Sequence, residues 1–320
     1  MSSESRVTVV RLGPIEKHPN ADTLSITQVH GGYPVILRSG EYAEGDLAAY
    51  VPVDSIVPEG DPRWEFLGVH RRIRAKKLRG TFSMGLLTKA APEWVEGQDV
   101  TDELRIAKWS PEEPTEGSAD EPDPGSMPVY TDIEGWRRWK GALVDGERVL
   151  MTEKIHGENF RAVHDGSRLW VGSRTRIKRD DSASKWWQAA HAAGLADKLA
   201  RHPGIAVYGE CHGYTGGFPY GSPARKPTLR IFDAIDTRTR KYLGVDAFRA
   251  LDLDIPGAPI LHEGPWSPDL AALAEGPSTL DASHVREGWV VRPWEERDDP
   301  RLGRVILKLH GQGFLLRGKD

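Results

Sequence analysis

The chain has a single cysteine, Cys211. That excludes an intrachain disulfide framework and a CxxC zinc site, and it suits a reducing, cytoplasmic compartment. No apolar run approaches the roughly 18 residues that a membrane helix needs, so no membrane partner is expected. Met1 to Arg6 is polar and lacks the apolar stretch of a signal peptide. An excess of either sign of charge is also lacking, with 43 Lys and Arg against 47 Asp and Glu and a net value of only −4. This excludes a uniformly basic nucleic-acid binder but not a local basic surface. No obligate protein partner is evident.

The composition is that of a folded protein. Hydrophobic residues make up 38% of the 320, enough for real cores, and the length predicts two domains at roughly 150 residues each. Charge is segregated along the chain. Arg71, Arg72, Arg74, Lys76, Lys77 and Arg79 form a run without an acid. Glu112, Glu113, Glu116, Asp120, Glu121 and Asp123 form a run without a base. The first is a candidate phosphate-binding surface. The second, rich in Pro and Gly, reads as a solvated linker over 108–128.

Residues 1–107 read as mostly β. Short β-type runs at Val7–Val10, Leu24–Val29, Tyr33–Leu37 and Leu47–Val51 are separated by turn chemistry at His18-Pro19-Asn20-Ala21-Asp22, Gly31-Gly32 and Glu44-Gly45-Asp46. Strands at that spacing predict a small barrel. Residues 129–320 mix helices and strands. Thr131-Asp132 is expected to cap a helix carrying Trp136, Trp139 and Lys140, and Ser182 to Arg201 is expected to form one helix burying Trp186, Trp187, Ala190, Leu195 and Leu199. Strands are expected at Arg148–Glu153, Arg168–Gly172, Ile205–Glu210, Thr228–Ile235, Gly288–Arg292 and Val305–Leu309.

Several of these strands end in groups suited to nucleotide chemistry. Glu153-Lys154-Ile155-His156-Gly157-Glu158-Asn159-Phe160 offers a nucleophile, an acid–base group and a glycine. A lysine amine attacks phosphorus only when deprotonated, and its ordinary pKa is about 10.4, so it needs nearby cations or a metal. Downstream come Ser173-Arg174, Tyr208-Gly209-Glu210, Phe232-Asp233, Glu287-Gly288-Trp289-Val290 and Leu307-Lys308-Leu309-His310. Each alone has a bland reading, because strands commonly carry charge where they emerge into water. Six in order are a stronger signal.

That order resembles the covalent nucleotidyltransferases, and within them the RNA ligase 2 branch of polynucleotide ligases. The likeness covers residues 148–316. His156 supports that branch, since DNA ligases and capping guanylyltransferases usually carry Asp there. His18-Pro19-Asn20-Ala21-Asp22-Thr23-Leu24 and Lys77-Leu78-Arg79-Gly80-Thr81-Phe82-Ser83-Met84-Gly85-Leu86-Leu87 resemble an OB domain of the tRNA-binding kind. The chain ends ten residues after His310, which leaves no room for the C-terminal OB domain of DNA ligases and capping enzymes.

The resemblance implies an α+β protein: an N-terminal OB-like β-barrel, then a mixed α/β nucleotidyltransferase domain of ATP-grasp-like ligase type with antiparallel sheets. It implies an ATP-dependent ligase joining RNA 3′-OH and 5′-phosphate ends, at nicks in duplexes, through lysyl-AMP and RNA-adenylate. ATP is the AMP donor and Mg²⁺ or Mn²⁺ the metal. Lys154 is the nucleophile, with Lys308 on the α-phosphate and His156 acting after the adenylate forms. Glu153, Asn159, Arg174, Glu210, Phe232 and Lys308 hold the nucleotide, with Phe232 on adenine and Glu210 on ribose, and Arg174 also contacts the acceptor strand. Glu287 and Asp233 hold metal. Arg71, Arg72, Arg74, Lys76, Lys77 and Arg79 contact nucleic acid. His310 stands where the family usually has a second lysine, with Arg304 and Arg317 as the candidate substitutes. A DNA-nick ligase, a capping guanylyltransferase and a non-catalytic OB-type binding protein are the alternatives.

Overall fold

The computed structural model describes residues 6–109, 120–125, 127–214, 218–220, 222 and 226–316. The chain forms two compact units. One comprises residues 1–113, 134–140 and 315–320; the other comprises 114–133 and 141–314.

In the first unit, Thr8–Arg11, Leu47–Val51 and Leu86–Lys89 form an antiparallel sheet with Leu47–Val51 in the middle. Glu16–Lys17, Leu24–Val29 and Tyr33–Arg38 form a second. Alternation along a strand sends successive side chains to opposite faces, and here both faces are covered. Val9, Ala49 and Val51 pack with Trp64, Ile73 and Leu104, while Val10, Ala48 and Tyr50 pack with Leu12, Val29 and Val35. Lys76–Leu78 and Thr81–Ser83 make a hairpin. Its turn residues Arg79 and Gly80 both have positive φ, 47° and 89°, as a two-residue hairpin turn requires. The buried His18 ring bonds Leu78 O, and Asn20 Nδ2 donates to Arg79 O. The His18-Pro19-Asn20 loop thus holds the hairpin in place.

The second unit is built on a seven-stranded antiparallel sheet. Its order is Asp120–Glu121, Ile177–Lys178, Leu169–Gly172, Glu158–His164, Ile205–His212, Thr228–Asp236 and Lys241–Tyr242. The helices Lys185–Ala192 and Leu195–Ala200 cover one face, where Phe160, Ala162, Val171, Val207 and Cys211 meet Trp186, Trp187, Leu195 and Leu199. Tyr130, Val163, Ala206, Tyr208 and Ile306 pack on the other face, with Phe232 and Val290 against them. A second antiparallel sheet runs Leu307–His310, Gly288–Pro293, Arg148–Glu153, Ile260–Pro265. Among the described residues no helix is long and apolar enough to cross a membrane.

Three local expectations need correction. The helix after Thr131-Asp132 does not form; that stretch holds a two-residue strand, Glu134–Gly135, and a 3-10 turn, Lys140–Ala142. The helix over 182–201 is two helices, because Gly194 adopts φ 60°, a conformation that interrupts the right-handed helix. The described part of the 108–128 segment is not a solvated linker. Asp120–Glu121 pairs with Ile177–Lys178, Asp120 bridges Lys178 and Arg176, Glu121 bridges Arg168, and Met127 is buried. Glu112, Glu113 and Glu116 lie outside the described residues.

Candidate active site

The second sheet places its functional groups at adjacent strand ends. Lys154 follows the Arg148–Glu153 strand, and its amide donates to Gly288 O at 2.9 Å. Glu287 stands just before the neighbouring Gly288–Pro293 strand. Gly288 has φ 148°, and a Cβ there would lie 1.9 Å from Leu309 O, so only glycine lets these strand ends approach. Gly157 is under the same constraint, with a Cβ 2.4 Å from Cys211 O.

Glu287 is the centre of the cluster. Lys154 Nζ donates to its Oε1 at 2.6 Å, and His156 Nδ1 lies 3.2 Å from Oε2. His310 Nε2 lies 3.6 Å from Oε1. The residue is 5% exposed. Burial alone pushes its carboxyl up, but the charge of Lys154 and the two imidazoles outweigh that and hold it well below the usual carboxylate range. Lys308 and His310 alternate with the buried Leu307 and Leu309 and share one strand face. Lys308 pairs with Val290, and Val290 packs against the cluster that includes Phe232. The two sheets therefore present Lys308 and Phe232 to the same interior region of the unit.

Across the first sheet, Asn159 pairs with Glu210 and Glu210 with Arg230. Directly opposed residues point to the same face, which is the face of Tyr208 and Ala206, away from the helices. Glu210 is half-buried, and its carboxyl is pushed up to about 8, mainly by burial and further by Glu287 and Glu158, against the charge of Lys154. Asn159 Oδ1 is buried with no hydrogen-bond partner. An orphaned acceptor beside a neutral carboxyl is a surface suited to a polar ligand such as a nucleoside. For a divalent ion, the ionised Glu287 is the fitting donor. Magnesium sites commonly use one or two carboxylates together with substrate phosphates. No group of three or more His, Cys, Asp or Glu among the described residues forms a cage on its own.

Tyr220 carried no signal in the sequence. Its hydroxyl accepts the His156 N–H at 2.8 Å, and its ring meets His212 edge-on at 5.5 Å. Phe218 and Phe314 lie 4.6 Å and 5.6 Å from the His156 ring. An amide-to-phenol contact requires the folded loop and has no linear pattern.

Other expected site residues are placed differently. Glu153, the last residue of its strand, is 2% exposed. Its carboxylate accepts from Ser278 Oγ and from Thr279 N at 2.7 Å, with Arg286 Nε at 3.6 Å. It is held by the protein's own donors. Asp233 is fully buried. It accepts from Tyr130 OH at 2.7 Å and bridges Arg304 at 2.7 Å and Arg292 at 3.6 Å. Its oxygens are thus taken up by cations of the protein itself. Arg304 in turn is tied to Asp233 and Glu296 and lies 3.6 Å over the Tyr242 ring, so it does not substitute for the second lysine; Arg317 lies outside the described residues. Arg174 is half-exposed and bridges Asp132 at 2.6 Å, and no described contact ties it to Glu287 or Glu210.

In the first unit, Arg72 donates to Asp54 at 2.7 Å and lies 3.2 Å over the Trp109 ring. It is an internal strut and not part of an open phosphate surface. Arg71 lies 3.5 Å from Glu59. Arg74, Lys76, Lys77 and Arg79 are exposed.

Comparison with known proteins adds an independent view. A family model described as RNA ligase matches residues 147–310, and an OB-fold domain model matches residues 6–90. No curated protein matches the chain in sequence. Among solved structures, Naegleria gruberi RNA ligase with PPi is similar at 23% identity and a TM-score of 0.82, covering 99% of each chain. A mutant of that ligase with AMP and Mn gives 22% identity and a TM-score of 0.84, again over 99% of each. Another with ATP and Mn gives 23% and 0.83, over 98% of this chain and 99% of the other. At such identity the likeness speaks for the fold, an OB unit joined to a ligase unit. The RNA ligase model spans just over half of the residues, from before Lys154 to His310, and the chain belongs to the RNA ligase family.

Proposed function

We propose that this protein is an ATP-dependent RNA ligase that seals 3′-OH and 5′-phosphate ends, with nicks in duplexes as its substrate. Residues 1–107 act as the nucleic-acid-binding domain and residues 129–320 as the adenylyltransferase domain. The observation that carries the reading is Lys154 Nζ at 2.6 Å from an ionised, buried Glu287 that also gathers His156 and His310. ATP and Mn in the similar Naegleria structures support the choice of nucleotide and metal.

Lys154 Nζ attacks the α-phosphorus of ATP. The P–N bond forms, the P–O bond to the β-phosphate breaks, and pyrophosphate leaves with the electron pair. Asn159 and Glu210 hold the ribose, Phe232 stacks on adenine, and Lys308 draws charge from the α-phosphate. Before attack Lys154 must lose a proton, and its pairing with Glu287 favours the charged form. A divalent cation held by Glu287 would compete for that carboxylate and neutralise phosphate charge. AMP then passes to the RNA 5′-phosphate, and the 3′-hydroxyl attacks the activated phosphate and expels AMP. His156, held by Tyr220 and Glu287, serves these later steps.

The test is sealing of nicked duplexes that differ only in RNA or DNA on each side of the nick. ATP-dependent sealing that requires an RNA 3′-OH strand is expected. Sealing of all-DNA nicks at the same rate would favour the DNA-ligase alternative, and transfer of GMP to a 5′-diphosphate end would favour capping.

A further inference from the structure

We propose that the loop over residues 57–71 of the N-terminal unit is a subsite for one unpaired nucleobase, with Phe66 stacking on the next base of the same single strand. It rests on the ligase reading only for the strand being RNA.

An open cavity of about 430 Å³ is lined by Val57, Pro58, Glu59, Trp64, Glu65 and Arg71, among others. The size suits a small planar ligand. Trp64 is 4% exposed, and its indole N–H has no acceptor, although a buried indole N–H usually finds one. The wall is preformed. Asp61 caps the 3-10 turn Pro62–Leu67 by accepting from Arg63 N, and Gly68 closes it with φ 57°. Val69, which lines the cavity, is 90% exposed, and Phe66, on the same 3-10 turn as the lining residues Trp64 and Glu65, is 66% exposed. An exposed aromatic ring so near in sequence to the cavity wall is a platform on which a base can stack.

The charge pattern selects the occupant. Glu59 and Glu65 in the cavity repel phosphate but accept hydrogen bonds from the amino groups of a base. The exposed Arg74, Lys76, Lys77 and Arg79 follow in sequence from the cavity's own Arg71 and suit a backbone. A stacked duplex cannot present a base to a cavity, whereas a single strand splays its bases onto aromatic rings.

The full chain is titrated without ATP, by fluorescence anisotropy, against a short single-stranded RNA and its abasic counterpart over a series of salt concentrations. The base-containing strand should bind about tenfold more tightly. Phe66→Ala and Trp64→Phe should each remove most of that advantage and leave the salt slope unchanged, since the slope counts phosphates. Lys76→Ala with Lys77→Ala should flatten the slope and keep the base preference. Trp64 is a core residue, so Phe66→Ala decides the matter if Trp64→Phe fails to fold. Equal binding of the two strands, or a Phe66→Ala protein that keeps the base preference, overturns the proposal and points to a protein partner for this surface. AMP labelling of Lys154 in the same preparations reads the ligase function separately.

Discussion

Glu287 and Asp233 began as equals, two carboxylates next to strands and both expected at a metal. Both are buried in the same unit, yet their partners differ in kind. Asp233 is surrounded by Arg292, Arg304 and Tyr130. Guanidinium stays charged at any accessible pH, so this pairing is permanent and fixes the strand beside Phe232. Glu287 is surrounded by Lys154, His156 and His310. Ammonium and imidazole groups can give up protons or be displaced, so this pairing is exchangeable. The comparison teaches that burial of an acid does not identify a working site. What sets the two acids apart is whether their partners can change.

The comparison is best challenged by exchanging the two phenotypes. Glu287→Gln should lower AMP transfer to Lys154 by on the order of a hundredfold or more, with a smaller loss of stability than Asp233→Ala, because the Lys154 side chain it leaves behind is partly exposed and can be solvated. Labelling rates and thermal melts on one preparation check both halves. Asp233→Ala should act the other way. It leaves two buried guanidinium groups short of a partner, a loss of about 3–5 kcal/mol, read as a lower denaturation midpoint. If Asp233→Ala is as stable as the parent, the fixed-pair account of that network is wrong.

A pH effect sharpens the contrast. The Glu210 carboxyl is pushed from 4.5 up to about 8 in the fold. Between those values the unfolded chain has released a proton that the folded chain keeps, so stability falls as pH rises from about 4.5 to about 8 and levels off beyond. Glu210→Gln should abolish that share of the decline, as measured by urea midpoints across the range. An unchanged decline would show that Glu210 does not hold its proton. The smallest effect is expected at Tyr220. Tyr220→Phe removes one acceptor for the His156 N–H, roughly 0.5–1.5 kcal/mol. It should slow sealing severalfold and leave AMP labelling of Lys154 nearly intact. An equal loss in both assays would place His156 in the first step.

Much of this was legible in the chain before folding. The strand runs around Lys154, Glu210, Phe232 and Lys308 carry β-type residues bounded by turn chemistry, and they form close to where expected. Glu158–His164 was not anticipated, although it lies in the middle of the seven-stranded sheet. Its Glu, Asn, Arg and His disguise it, and Arg161 is buried only because Ser173 O and Met127 O accept its hydrogen bonds. The internal pairing of Glu153 and Asp233 was hidden for a related reason. Their neighbours in sequence suggest a site, but Ser278, Thr279, Arg292 and Arg304 reach them from distant segments. Partners that arrive through tertiary packing leave no local pattern.

The most direct test incubates the protein with ATP labelled at the α-phosphate and Mg²⁺ or Mn²⁺, denatures it, and maps the label by peptide mass spectrometry. The account predicts one AMP on Lys154, stronger labelling from ATP than from GTP, and none in Lys154→Ala or in Lys154→Arg, whose guanidinium remains charged. Label on another residue, or persisting in Lys154→Ala, would contradict it.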